Sequence, residues 1–298
     1  MSKNSKKMIT ARLISTHEEL FVCPICAGKM KMNHLQSLVC SNNHCFDLSK
    51  SGYLNLYPRA VKSKYDQYLF ASRRVICSSG FFEPLNAFIS EKIIKQSDLG
   101  ETRNRMSILD AGCGEGSHLS TIRKKVIQAA DTDVLGVGVD LAKEGIHLAS
   151  KEYMNMLWCV ADIAKCPFAG NQFDVILNIL SPSNYAEFRR MIGDHGIIIK
   201  VIPGRDYLQE LRDVFYEKTN KRVYANDATL DRFKDHFQLL DLQRLRYQKS
   251  LDSGLTQHLI RMTPLSWGAT EAQKHKVLEA AAMDITVDLS ILIGKKPT

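Results

Sequence analysis

The chain has 298 residues, 45% of them hydrophobic and 24% charged, enough apolar material for one large packed domain or two modest ones. No apolar run is long enough to cross a bilayer, and the opening MSKNSKKMIT is polar and basic, unlike a secretory signal; the expectation is a soluble cytoplasmic protein, in which thiols stay reduced or bind metal. Of the net charge of +8, residues 1–100 carry seven, with 14 Lys+Arg against 7 Asp+Glu, which points to a polyanionic partner such as nucleic acid or to a solvated basic surface.

Four of the eight cysteines lie within Cys23–Cys45, together with His34 and His44. Cys23-Pro-Ile-Cys26 is a C-x2-C knuckle, and Cys40-x3-His44 follows after thirteen residues. Two pairs of soft ligands on two short turns can close a tetrahedron around zinc. Between them, Gly28 supplies a turn and the alternation of KMKMNHLQSLV predicts a small hairpin with His34 on its surface, as in a zinc ribbon or a treble-clef-like knuckle. Spacing leaves the fourth ligand open: Cys45 follows His44 directly, adjacent side chains of an extended turn point opposite ways, and one of the two reaches the metal. So small a module buries too little surface to fold alone, and four protein ligands leave no open position, so the metal is structural. Cys77, Cys159 and Cys166 are isolated and read as small core fillers.

From Met106 the pattern becomes alternating strands and helices. A buried strand containing Ile108 and Leu109 ends at Asp110, and a glycine-rich turn leads into a helix near Ser117. DVLGVGVD ends a second strand at Asp140, before an amphipathic helix; LWCVAD gives a third, ending at Asp162. QFDVILNILS is a fourth, apolar throughout as in the middle of a parallel sheet, and HGIIIKVIPG a fifth. Residues 227–248 predict a helix and a late hairpin strand, and MDITVDLSILIGKK the returning edge of the sheet. Repeated βα units make a doubly wound α/β sheet whose ligands bind at the carboxyl ends of its strands.

Gly112-Cys-Gly-Glu-Gly116 lies at such an end, where glycines let the backbone turn sharply and approach a ligand. Its spacing is G-x-G-x-G after an acidic residue, without the G-x-G-x-x-G of dinucleotide sites and without a phosphate-binding lysine. Asp110, Asp140 and Asp162 end three successive strands; Asp140 is placed for two ribose hydroxyls and Asp162 for an adenine amino group. An unphosphorylated adenosine with an amino-acid tail, S-adenosylmethionine, fits that pattern. Cys113 has no base beside it and reads as packing.

The order of motifs resembles the RlmA (RrmA/TlrB) family of 23S ribosomal RNA guanine-N1 methyltransferases nearly end to end. CPICAG…VCSNNHCFDLSKSGYLNLYP resembles the family's opening, DQYLFASRRVICSSGFFEPL its connecting segment, ILDAGCGEG and IPGRDYLQEL its donor-site pieces, and LIRMTPLSW its Q-M-T-P-x-x-W signature. The resemblance implies a class I methyltransferase fold with a small N-terminal zinc-binding module, and zinc ligands at Cys23, Cys26, Cys40 and His44. It also puts donor contacts at Phe82, Gly114, Glu115 and Tyr207, beside the Asp110, Gly112, Asp140 and Asp162 read above. Phe82 stands where relatives can have tyrosine, Tyr207 where a relative has histidine, and the glycine expected before Asp66 is absent. The family further implies a homodimer with zinc modules flanking an RNA cleft, a guanine in a hairpin loop of domain II, and a link to macrolide-type antibiotics. The corresponding segments are 1–60 for zinc and RNA recognition, 61–100 as a helical connector and 101–298 for methyl transfer.

N1 of guanine carries a proton at neutral pH, which methylation must remove. Asn178, Ser181, Ser183, Asn184 and Glu187, in NILSPSNYAEF, follow the fourth strand, but none is a convincing proton acceptor and the base stays unassigned; Asp174 reads as structural. Phe81, Phe82, Tyr185 and Trp267 are aromatics for stacking on a splayed base or for core packing. Lys62, Lys64, Arg73 and Arg74 suit phosphate contact or a solvated surface. A small-molecule methyltransferase leaves the zinc knuckle unexplained, and a non-catalytic RNA-binding protein leaves the donor pocket unexplained.

Overall fold

A computed structural model describes residues 3–57, 59, 65–97, 105–217 and 226–297. The chain opens with helix α1 (Lys3–Thr16), which the polar start does not announce; Ala11 and Ile14, three apart, are buried in the core it shares with the sheet described below. The predicted hairpin is β1 (Met30–Asn33) against β2 (Ser37–Cys40), and β3 (Cys45–Asp47) adds a third antiparallel strand. A two-residue strand, β4 (Leu54–Asn55), then leaves the module, and α2 (Gln67–Ser78) and α3 (Glu83–Ser97) follow.

The remaining elements alternate. They are β5 (Arg105–Ala111), α4 (Ser117–Ala130), β6 (Asp133–Asp140), α5 (Lys143–Glu152), β7 (Met156–Val160), β8 (Phe173–Ile179), α6 (Tyr185–Met191) and β9 (Ile192–Pro203). After them come α7 (Gln209–Phe215), α8 (Asp227–Lys234), β10 (Gln238–Asp252), α9 (Ser253–Met262), α10 (Glu271–Leu278) and β11 (Ala282–Lys295). The large sheet runs β10-β11-β9-β8-β5-β6-β7-β4, parallel from β9 to β4 and antiparallel at β11 and β10. Strand order reverses at β5, so the crevice between the β5 and β8 ends is where a doubly wound sheet binds its ligand.

Alternate residues of the parallel strands face two cores, Ile197, Ile199 and Val201 one and Ile198 and Ile202 the other. The first is closed by α3, α4, α5 and α9, and Phe81, Phe82, Leu85 and Ile89 are fully buried in it. The second holds residues of the zinc module, Leu20, Phe21, Leu38 and Phe46, with Leu157, Cys159 and Phe168 of the sheet side. Phe21 and Phe168 meet at 5.8 Å between ring centroids. With β4 hydrogen-bonded to β7, the module is built onto the sheet edge.

Two strand expectations are corrected. The third strand ends at Val160, because Asp162 turns back to accept from the Ala164 amide (2.8 Å). The last strand, β11, is not an edge: it sits between β9 and β10, and β10 is the edge. The residues agree, since β11 is buried along most of its length whereas β10 alternates half-buried and exposed positions.

Candidate functional site

The ligand atoms of Cys23, Cys26, Cys40 and His44 lie within 4.8 Å of one another. Cys26 Sγ to Cys40 Sγ is 3.7 Å, and His44 Nδ1 lies 3.4 Å from Cys40 Sγ and 3.5 Å from Cys23 Sγ. With Zn–S near 2.3 Å and Zn–N near 2.0 Å, a tetrahedron has edges of about 3.8 Å between thiolates and about 3.6 Å between thiolate and imidazole. The donor set and its spacing fit zinc. Each knuckle turn holds one left-handed residue, Ala27 (φ 58°) directly after Cys26 and Asn43 (φ 61°) directly before His44. Cys45 is exposed and turned away, its thiol 3.9 Å from an Asp47 oxygen, and His34 is exposed on the hairpin.

At the β5 switch point a cavity of about 1120 Å³ opens, lined by Gly112, Gly114, Asp140, Asp162 and Tyr207 among the expected residues. Sites for single small ligands run to about 300–1,000 Å³, so there is room for a donor and a nucleobase together. Asp140 ties two strand ends: one carboxylate oxygen accepts from the Gly114 amide and the other from the Ala142 amide, both at 2.8 Å. Burial pushes its carboxyl up, and those amides pull it back. Tyr65, Phe70, Leu141 and Ile163 give the cavity the apolar wall an adenine requires.

Gly112 and Gly116 hold φ of 85° and 84°. A Cβ on Gly112 would run into the Ser181 side chain, and one on Gly116 would meet the Trp158 ring at 2.5 Å. Gly112→Ala is therefore expected to lower stability by at least about 1–2 kcal/mol from the left-handed backbone alone and to weaken S-adenosylmethionine binding. Thermal melts and calorimetry read both, and unchanged values would remove the loop from the site.

Three expected contacts stand elsewhere. Phe82 is fully buried edge-on to Phe81 (4.9 Å) and His118 (5.1 Å), because the apolar run at 81–93 closes the first core. Glu115 lies under the loop, accepting from the Ser117 amide (3.2 Å) and ion-paired with Arg73 at 3.3 Å. Burial raises the Glu115 carboxyl while Arg73 draws it down. Asp110 is buried too, pushed up to about 7 chiefly by burial and further by its acidic neighbours Asp140 and Glu115. Arg73 thus offsets the charge of Glu115 where it lines the cavity, its side chain only 18% exposed rather than on a solvated surface. Arg74 pairs with Glu152, and Lys62 and Lys64 lie outside the described residues.

On the β8 side, Asn178 is fully buried; its amide donates to the carbonyls of Ala111 (2.7 Å) and Pro182 (3.0 Å), and its oxygen accepts from the Ser183 hydroxyl (2.8 Å). Ser181, Ser183 and Asn184 line the cavity, and Asn184 caps α6 through the Glu187 amide. Glu187 holds the Cys166 amide (2.9 Å) and Arg190. Asp174 clamps Ser107 at the opposite end of the sheet. Tyr185 lines the cavity but packs among Phe188, Phe233, His236 and Phe237; Phe81 is core. Trp267, 45% exposed, stands edge-on to Tyr65 at the rim, beside the RMTP segment whose Met262, Thr263, Pro264 and Leu265 line the cavity.

Cys113 and Cys159 are buried with their thiols pushed well up by burial, Cys166 is buried and pushed up to about 12, and Cys77 is half-buried and likewise pushed up to about 12 beside Glu115. Sequence reasoning missed Lys200. It is the one charge in the run HGIIIKVIPG, an anomaly in a buried strand, and it lines the cavity on β9 opposite Asn178.

Two family models match: "RlmA, N-terminal" over residues 21–64 and "Methyltransferase domain" over residues 108–194. The Bacillus subtilis protein YxjB, provisionally named a 23S rRNA (guanine-N1)-methyltransferase, is 43% identical over 279 residues, covering 93% of this chain and 97% of its own. The 23S rRNA (guanine(748)-N(1))-methyltransferase of Streptomyces fradiae is 27% identical over 247 residues, 82% of this chain and 85% of its own. A phthiotriol/phenolphthiotriol dimycocerosates methyltransferase of Mycobacterium tuberculosis is 29% identical over 127 residues, 41% of this chain and 43% of its own. With the ribbon, the glycine loop and the β5 cavity on one polypeptide that matches relatives end to end, the chain belongs to the RlmA family of 23S rRNA (guanine-N1)-methyltransferases.

Proposed function

We propose that the protein transfers a methyl group from S-adenosylmethionine to N1 of a guanine in 23S ribosomal RNA. The observation that carries the reading is one continuous cavity that joins the glycine loop and Asp140 to the polar corner of Ser181, Ser183 and Asn184. When bound, S-adenosylmethionine supplies an electrophilic methyl. The chain's own residues do the rest: Asp140 and Asp162 hold the nucleoside, with Gly112, Gly114 and Tyr207 around its tail. The β8–α6 loop aligns the guanine, and the apolar wall excludes water. Cys23, Cys26, Cys40 and His44 hold zinc as a structural ion.

The finer reading follows the resemblance. The guanine sits in a hairpin loop of domain II, where a base splays out at lower cost than in a duplex. Residues 1–60 recognise RNA, 61–100 connect, and 101–298 transfer the methyl group, in a cytoplasmic homodimer whose modification bears on macrolide susceptibility. The small-molecule alternative has the M. tuberculosis relative on its side, but that likeness spans 41% of the chain and leaves the ribbon idle. Labelled donor incubated with 23S rRNA from a strain lacking the gene should put label into an RNase-sensitive fraction that digests to 1-methylguanosine. Primer-extension stops then locate the base, and sedimentation reads the dimer. Label confined to organic-soluble small molecules would overturn the RNA reading.

A further inference from the structure

Methylation at N1 leaves one step without an owner, removal of the N1 proton. Among the groups lining the β8 side of the cavity, Asn184 cannot take a proton, and Ser181 and Ser183 are hydroxyls with ordinary weak basicity; Asn178 behind them is a fully buried amide and cannot take one either. Asp174 and Glu187 are engaged with Ser107 and with Cys166 and Arg190. Lys200 is different. It is 4% exposed, stands in a parallel strand, and has no carboxylate within ion-pair distance among the described residues. Its Nζ donates to the Asn178 oxygen and to the Ser181 carbonyl, both at 2.5 Å. Asn178 is held in the accepting orientation by its own two amide bonds, so it cannot flip to offer a donor.

A neutral amine has two N–H bonds and one lone pair. The two acceptors take the two N–H bonds, and the lone pair is left over on a nitrogen of a cavity-lining residue. An ammonium would place a third N–H there, with no counter-charge beside it. Burial draws the amine toward the neutral form. β8 presents Asn178, the loop Ser181, Ser183 and Asn184, β11 Leu292, α6 Tyr185, and the α8 side Arg232 and His236, while Arg73, Asp140, Asp162 and Tyr207 line the cavity beyond. Burial alone lowers the amine to about 8, within reach of working pH, and no charged neighbour contributes to that shift.

We propose that Lys200 is the catalytic proton acceptor for guanine N1. The N1–H bond breaks and its proton passes to the Lys200 lone pair; the N1 electron pair forms the bond to the methyl carbon. The carbon–sulfur bond breaks, leaving its electron pair on sulfur as a neutral thioether. Lys200 then returns the proton to water. The assignment rests on the guanine-N1 reading above.

The test compares single-turnover methylation of 23S rRNA from pH 6 to 9.5 for wild type, Lys200→Arg and Lys200→Met. Donor affinity is measured by calorimetry, and 13Cε-lysine NMR follows the ionisation of Lys200 itself. Expected are an NMR midpoint near 8, a wild-type rate that rises through the same pH, and donor affinity kept within a few-fold in at least one variant. Loss of a general base is expected to cost that variant about 10²–10⁴-fold in rate, with the inflection gone. An NMR midpoint above 10, or a folded variant within tenfold of wild type and with the same inflection, overturns the assignment alone. Wild type that makes no 1-methylguanosine overturns the functional reading and this assignment together.

Discussion

Cys40→Ser is expected to drop bound zinc from one per chain to near zero, and Cys45→Ser to leave it unchanged. A structural zinc site contributes apparent binding free energy of about 10–16 kcal/mol to folding, and a serine in a thiolate position cannot close the tetrahedron. The damage should spread beyond the ribbon, because Leu20, Phe21, Leu38 and Phe46 share a core with Leu157, Cys159 and Phe168. A fall in melting temperature of at least 10 °C, with metal analysis to match, is the expected result. The adjacent cysteine is the internal control: its exposed thiol faces Asp47 and its loss should cost no more than about 0.5 kcal/mol. Zinc retained by Cys40→Ser and lost by Cys45→Ser would reverse the ligand assignment.

Asp140→Ala should abolish measurable S-adenosylmethionine binding while leaving the sheet folded. Two hydrogen bonds from ribose hydroxyls to a carboxylate contribute about 1.5–3 kcal/mol each, a loss of roughly 10²–10⁴-fold in affinity by that arithmetic. The same substitution frees the Gly114 and Ala142 amides that the carboxylate now holds at 2.8 Å, so the glycine loop should also loosen. Asp140→Asn separates the two effects. It keeps one acceptor oxygen and the shape of the site, and should lose less affinity than alanine. Calorimetry beside circular dichroism reads the result, and a dissociation constant within fivefold of wild type for folded Asp140→Ala would remove this residue from the donor site.

Both sites were legible where chemistry is encoded by local spacing. The spacing named Cys23, Cys26 and Cys40 because a knuckle turn is a few residues long, the family resemblance chose His44 over Cys45, and the chain brings those four ligand atoms within 4.8 Å of one another. The placement of the glycine loop and Asp140 was legible because the buried apolar runs of β5 and β6 stop there, and Gly112, Gly114 and Asp140 line the cavity at those strand ends. Phe82 and Glu115 were not: a residue-by-residue likeness says which position matters, whereas the core formed by Phe81, Leu85 and Ile89 decides which way the ring points. Arg73 read as a phosphate contact or a surface cation, yet it is held mostly buried beside Glu115 and Asp110, some forty residues on in the chain, a pairing no local spacing records.

Residue order by itself determined the class of fold, the metal and the methyl donor. Each depends on periodicities of two and 3.6 residues and on short-range ligand spacings that survive without knowledge of the rest of the chain. Tertiary structure alone decided that β11 lies inside the sheet, that the ribbon is built onto its edge through β4, and that Lys200 meets Asn178 across two parallel strands. Strand order and side-chain convergence come from packing between segments tens of residues apart, and no local pattern records that free energy.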